Sequence, residues 1–230
     1  MAYWILKVIL TPIFLLFWRV RVEGRENVPK KGPAVLAANH QSFCDSFFLP
    51  LVVRRKVTYL AKAEYFDSPR TSWFFRAAGQ IPIRRGGGKQ SERALETARE
   101  VLARGMVLGL YPEGTRTLDR SVHKGRTGVS RLSRECGVPV IPVGISGTVE
   151  VQPVNSNFMR PFKTVTVRFG KPMRMQPVAN PEDPFEDHDH TVCRDFTDEL
   201  MHEIARLSDR EYSDEYVPKR KPRDAEERVS

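Results

Sequence analysis

Cysteine is scarce in this chain of 230 residues, which holds only Cys44, Cys136 and Cys193. They are odd in number, far apart and without a Cys-x-x-Cys pair, so neither a disulfide framework nor a zinc site is indicated, and a reducing compartment fits. The extended apolar segment from Tyr3 to Trp18 falls short of the roughly 20 residues that a membrane-spanning helix needs. It also lacks the basic leader and small-residue cleavage site of a secretory signal. The Gly-x-Ser-x-Gly turn that exposes a hydrolase nucleophile is missing around Ser42 and Cys44. Gly86, Gly87 and Gly88 lack the Gly-Lys-[Ser/Thr] ending of a phosphate-binding loop and read as a flexible connection. No internal repeat is present. His188-Asp189-His190 follows an acidic, Pro-interrupted stretch with no second ligand cluster, which argues for a solvated loop over a metal site.

What is present is a basic balance and one substantial core. Lys and Arg number 37 against 28 Asp and Glu, a net charge of +9. Such a surface favours polyanions, whether nucleic acid, an anionic leaflet or phosphorylated small molecules, and charge alone does not choose among them. A hydrophobic content of 40% with 13 Phe suffices for one globular domain. Trp4 and Trp18 near the two ends of the apolar segment, with Arg19 and Arg21 at its exit, suit a helix lying in the membrane interface. A core helix over the sheet is the alternative. The expected division is an interfacial anchor at 1–20, a globular domain at 21–207, and a charged tail at 208–230 with little fixed structure.

Short β-branched runs predict strands at Val20–Glu23, Ala34–Ala38, Val57–Ala61, Gln80–Ile83, Val107–Tyr111, Val140–Ile145 and Thr164–Phe169. Helical spacing is clearest over Ser91–Arg104, where Ala94, Leu95, Ala98, Val101 and Leu102 share a face and Gly105 follows. Val129–Cys136 and roughly Thr191–Leu207 read as further helices. Strands alternating with helices predict an α/β fold with a largely parallel central sheet covered on both faces. Strict alternation in Thr164–Phe169 predicts an edge strand with one wet face.

Two polar clusters each follow an apolar strand: Asn39-His40-Gln41-Ser42-Phe43-Cys44-Asp45, and Tyr111-Pro112-Glu113-Gly114-Thr115-Arg116. Open α/β folds bind ligands outside the carboxyl ends of their strands. An alcohol attacking a carbonyl needs a base to take its proton, and His40 is the natural candidate, with Asp45 fixing its tautomer. Gly114 allows close backbone approach, and Arg116 offers a planar fork for phosphate. Gln80-Ile81-Pro82-Ile83 delivers Arg84 and Arg85 to the same side, and pleating lets only one of them reach the crevice, the register deciding which.

His40-x-x-x-x-Asp45, Gly79-Gln80-Ile81-Pro82-Ile83-Arg84-Arg85, Tyr111-Pro112-Glu113-Gly114-Thr115-Arg116 and Val138-Pro139-Val140-Ile141-Pro142-Val143 resemble, in order and spacing, the four motifs of the glycerolipid acyltransferase family. The resemblance covers about Gly32 to Pro172. It implies transfer of a fatty acyl group from a coenzyme A or acyl-carrier-protein thioester to a glycerophosphate hydroxyl, with lysophosphatidate as the best-known acceptor. It implies His40 as base with Asp45 as partner, and Lys62, Arg85, Glu113, Gly114, Thr115 and Arg116 around the acceptor phosphate. Pro142, in the fourth motif, is implied in donor binding or in shaping the site. The chain departs from the family at Arg84, where an aspartate is common. No metal or cofactor is expected, the thioester being a co-substrate. The expected partners are a lipid surface, a lysophospholipid and the acyl donor, without nucleic acid, at the cytoplasmic face of the cell membrane.

Two other activities fit the same residues less well. A thioesterase would use the His-Asp pair to activate water, which needs no phosphate-binding residues. A silent membrane-binding module would bind lipid independently of His40.

Overall fold

A computed structural model describes all residues except 85–87, 154, 155, 157, 177–186 and 219–230, and omits the side chains of residues 70 and 187–189. The chain opens with helix α1 (Ala2–Phe17) and strand β1 (Arg19–Glu23). It continues through β2 (Ala34–Ala38), α2 (Asp45–Val52), β3 (Val57–Lys62), α3 (Glu64–Asp67), α4 (Pro69–Ala77), β4 (Ile81–Ile83) and α5 (Lys89–Ala103). Then come β5 (Val107–Leu110), β6 (Val122–His123), α6 (Gly128–Cys136), β7 (Val140–Ser146), α7 (Thr148–Val151), β8 (Thr164–Phe169), α8 (Asp187–Ser208) and β9 (Tyr212–Ser213).

Seven strands form one sheet in the order β1-β8-β7-β2-β5-β3-β4. Only the β7–β8 pairing is antiparallel, so β7, β2, β5, β3 and β4 share a direction and β8 and β1 oppose it. The all-apolar run Ala34–Ala38 is completely buried because β2 is central and covered on both faces. With β5 and β7 parallel to it on either side, the three carboxyl ends lie at one edge of the sheet.

One face of the sheet packs Leu36, Ala38, Val143 and Ile145 against Phe14 of α1, Trp18 just after it and Phe48 of α2. The other packs Val35, Ala37, Leu108 and Val140 against Leu102, Val129, Leu132, Leu200, Met201 and Ile204 from α5, α6 and α8. Each fully buried side chain of this size is worth ~1.5–3 kcal/mol of transfer free energy. Helix α5 buries the face its spacing predicts, Ala98, Val101 and Leu102. It stops at Gly105 (φ +72°), where the Gly105 and Met106 amides donate to the carbonyls of Leu102 and Val101. Gly144 is required in β7 because a β-carbon there would lie 2.2 Å from the Leu207 carbonyl carbon of α8.

In α1, the charge at Lys7 has a local use. Its ammonium donates to the Pro50 carbonyl at 2.8 Å and to the Val53 carbonyl, capping the end of α2. Burial, reinforced by Arg25, lowers its pKa to about 8. Tyr3 and Phe14 are buried, whereas Trp4, Ile5, Val8, Ile9, Ile13, Leu15, Leu16 and Phe17 are exposed. No helix among the described residues is long and apolar enough to cross a membrane.

Three expectations from sequence need correction. Thr164–Phe169 alternates as expected, yet it is an interior strand, because β1 pairs along its far side and is itself the edge. The segment after Ser208 is ordered as far as Pro218, with Tyr212–Ser213 pairing in parallel with β6; the tail from 219 lies outside the described residues. Residues 187–190 form the first turn of α8 rather than a loop.

Candidate active site

The backbone leaves β2 at Ala38 and turns into α2 at Asp45, so the first polar cluster occupies the turn itself. Asp45 is 1% exposed, and its Oδ2 accepts the backbone amides of Gln41 and Ser42 at 2.8 Å each. The same oxygen lies 3.0 Å from His40 Nδ1. With Nδ1–H held by the carboxylate, the lone pair of the imidazole is on Nε2, which makes no hydrogen bond among the described residues. That is the arrangement a general base requires.

The second cluster wraps the first. His40 N–H donates to Glu113 Oε2 at 2.9 Å, and the His40 carbonyl accepts the Thr117 amide at 2.9 Å. The Tyr111 ring stacks on the His40 imidazole, centroids 3.9 Å apart and planes inclined by 10°. Tyr59 continues the stack at 5.5 Å from Tyr111. Tyr59 has room because β5 carries Gly109, where a β-carbon would come within 2.4 Å of its ring. Behind the turn, Asn39 exchanges hydrogen bonds with the backbone of Ile145 in β7.

The general family model described as Acyltransferase matches residues 19–146, more than half of the chain. The chain belongs to the acyltransferase family. It is 30% identical over 158 residues to the chloroplastic 1-acyl-sn-glycerol-3-phosphate acyltransferase of Arabidopsis thaliana, covering 68% of this chain and 44% of that protein. It is 36% identical over 130 residues to the lyso-ornithine lipid O-acyltransferase of Pseudomonas aeruginosa, covering 56% and 48%. The chain thus spans about half the length of these relatives or less. A crystal structure of the 1-acyl-sn-glycerophosphate (LPA) acyltransferase from Thermotoga maritima superposes with a TM-score of 0.62 at 26% identity, covering 84% of this chain and 73% of that one. The α/β fold with its mostly parallel sheet is the fold of this acyltransferase.

Within this family member the expected site residues divide. His40 and Asp45 are in contact, and Gly114 (φ +77°), Thr115 and Arg116 form the turn beside them. Gly114 and Thr115 are exposed and Arg116 is half-buried, with no carboxylate in ion-pair range among the described residues. Lys62 ends β3 and pairs with Glu64 at 3.2 Å, both well exposed. Arg85 lies outside the described residues.

Two residues sit differently from the expectation. Pro142 lies within β7 opposite Ala37, away from the strand end. Its Cγ is 2.7 Å from where a β-carbon of Gly170 would stand, close to Leu207 Cδ1 at 2.9 Å from that same point, so it packs toward α8. Glu113, expected at the acceptor phosphate, is 3% exposed and turns inward, its Oε1 accepting the His123 amide at 2.9 Å while Oε2 takes that of His40. Both oxygens of the carboxylate are thereby engaged by the protein's own backbone.

Neither Ser42 nor Cys44 is presented as a nucleophile. Ser42 is 1% exposed and donates to the Gln152 carbonyl at 2.8 Å. Cys44 is fully buried, and burial, with Asp45 nearby, pushes its thiol up to about 12, so it holds almost no thiolate at neutral pH. Sequence reasoning included Asn39 and Tyr111 in the two polar clusters but gave them no role, and it passed over Tyr59, whose place in a motif-side strand ordinary core residues share.

Proposed function

We propose that this chain is an O-acyltransferase that moves a fatty acyl group from a coenzyme A or acyl-carrier-protein thioester to the free hydroxyl of lysophosphatidate, giving phosphatidate. The observation that carries the reading is the His40 Nδ1–Asp45 Oδ2 contact of 3.0 Å after β2, beside the segment that carries Arg116 after the neighbouring parallel strand β5. In this reading His40 Nε2 takes the acceptor's hydroxyl proton as its oxygen attacks the thioester carbonyl. The tetrahedral adduct expels the thiolate, and His40 returns the proton to it. Asp45 holds the ring through both proton transfers, and Arg116 receives the acceptor phosphate. The atoms balance with the thioester as co-substrate alone.

The names of the relatives in Arabidopsis and Thermotoga support the phosphate-bearing acceptor. The Pseudomonas relative's name favours a second reading, in which the acceptor is another lysolipid. The exposed apolar side of α1 supports attachment in the membrane interface, which for an enzyme fed by cytoplasmic thioesters means the cytoplasmic leaflet.

The test is an assay of purified protein with palmitoyl-coenzyme A or palmitoyl-carrier protein, in micelles of lysophosphatidate or lyso-ornithine lipid, following thiol and lipid product together. His40→Ala serves as control. Matched thiol and phosphatidate establish the reaction, and Arg116→Ala should then raise the KM for lysophosphatidate more than that for the donor. Product with lyso-ornithine lipid alone transfers the assignment to the second reading. Thiol without lipid product identifies a thioesterase.

A further inference from the structure

We propose that Glu113 is a positioning residue that acts through the backbone of His40, holding the base in place rather than contacting the acceptor. The inference rests on the acyl-transfer reading above and changes what its third motif does. A carboxylate is an acceptor at both oxygens, and here each oxygen has one backbone amide to itself, His40 at 2.9 Å and His123 at 2.9 Å. The group is 3% exposed and carries the charge of the acceptor phosphate, so on both counts it is unsuited to meet that phosphate. It is well suited to join two loops whose ends are otherwise far apart in sequence.

Both loops are themselves anchored. On the His40 side, the ring is gripped by Asp45 and Tyr111, and the carbonyl by the Thr117 amide. On the His123 side, the ring nitrogens lie 2.8 Å from Asp119 Oδ2 and 3.1 Å from the Glu215 carbonyl, and β6 pairs with β9. Lys124 adds an ion pair with Asp214 at 2.8 Å. The segment after α8 thus holds β6, β6 holds Glu113, and Glu113 holds the amide of the base. Burial, countered by the two amides, raises the Glu113 pKa to about 7, the mark of a carboxyl held in a costly place.

Glutamine at this position offers one acceptor and one donor, so one of the two amides must lose its partner. A displaced base loses reaction geometry without losing substrate contacts. We expect Glu113→Gln to lower kcat about 100-fold while leaving the lysophosphatidate KM within about twofold. Arg116→Ala should show the reverse split. An acceptor KM that rises with kcat retained, or unchanged kinetics, overturns the proposal.

A second measurement needs no variant and no activity. In full-length protein labelled with 15N-histidine, which has five such residues, the His40 and His123 amide resonances should move with one common midpoint near pH 7 as Glu113 titrates. The two histidine rings, Asp45 and Asp119 also lie near these amides, so the shared midpoint is the diagnostic feature. Separate midpoints, or no movement, overturn the clamp even where Glu113→Gln fails to fold. If the wild-type chain acylates no lysolipid, the functional reading falls and the titration still decides the clamp.

Discussion

Asn39 pairs with Ile145 as one strand residue pairs with another: its Oδ1 accepts the Ile145 amide at 2.8 Å, and its Nδ2 donates to the Ile145 carbonyl at 2.9 Å. A side chain thus extends the β2–β7 ladder past the last backbone pairing at Ala38 and Val143. It fastens the residue before His40 to the strand of the fourth motif. Asn39→Ala leaves both buried groups of Ile145 unpaired, which should cost about 2–4 kcal/mol. Urea denaturation measures the loss, and kcat should fall with it because His40 is the next residue. A variant of unchanged stability would mean that water replaces both bonds.

The ring stack invites a separate experiment. Tyr111 lies 3.9 Å from the His40 ring and its hydroxyl is 2.9 Å from Ser46 Oγ. A flat aromatic face favours an imidazolium, the form His40 would pass through in the proposed acyl transfer. Tyr111→Phe keeps the face and should retain most activity. Tyr111→Leu removes it and should lower kcat about tenfold, with both KM values preserved. Equal losses in the two variants would assign the effect to the hydroxyl.

The buried carboxyl of Glu113 makes stability depend on pH in a definite direction. Folding raises its pKa from an ordinary 4.5 to about 7, chiefly through burial. Between those values the folded state keeps a proton that the unfolded chain has released. The group therefore favours folding below about pH 4.5, and that contribution is lost as pH rises through 7. The stability of the wild type relative to Glu113→Gln should fall by roughly 3 kcal/mol between about pH 5 and 8, as measured by denaturant unfolding. A difference that stays constant, or grows with pH, would contradict the burial of an ionisable group there.

On α1, the exposed residues Ile5, Ile9 and Leu16 sit opposite the side that Lys7 and Phe14 dock onto the domain. Replacing these three with serine removes apolar area that no protein group covers. Sedimentation with vesicles of phosphatidylglycerol and phosphatidylcholine should drop at least tenfold, while turnover of a short-chain, monomeric acceptor stays near the wild-type rate. Undiminished vesicle binding would move the contact to another surface.

The contact between His40 and Asp45 was legible because the pair is local. Five residues separate His40 from Asp45, and a strand-to-helix turn of that length brings them together whatever surrounds it. The α5 face was legible for a similar reason, since a helix covered on one side writes its burial into a 3.6-residue period.

By itself, the sequence determined the alternation of strands and helices, the residue types at two strand ends and the acyltransferase motifs that contain them. Tertiary structure alone decided the rest. Alternation in Thr164–Phe169 records which face is wet, and only β1 pairing beside it made the strand interior. Pro142 stands in a sheet buried on both faces, where period two no longer distinguishes them, so its turn toward α8 had no sequence signal. Glu113 faces inward because amides 73 and 10 residues away converge on it. Motif spacing reports the covalent chain, whereas a buried charge takes its direction from whichever donors the fold brings within reach.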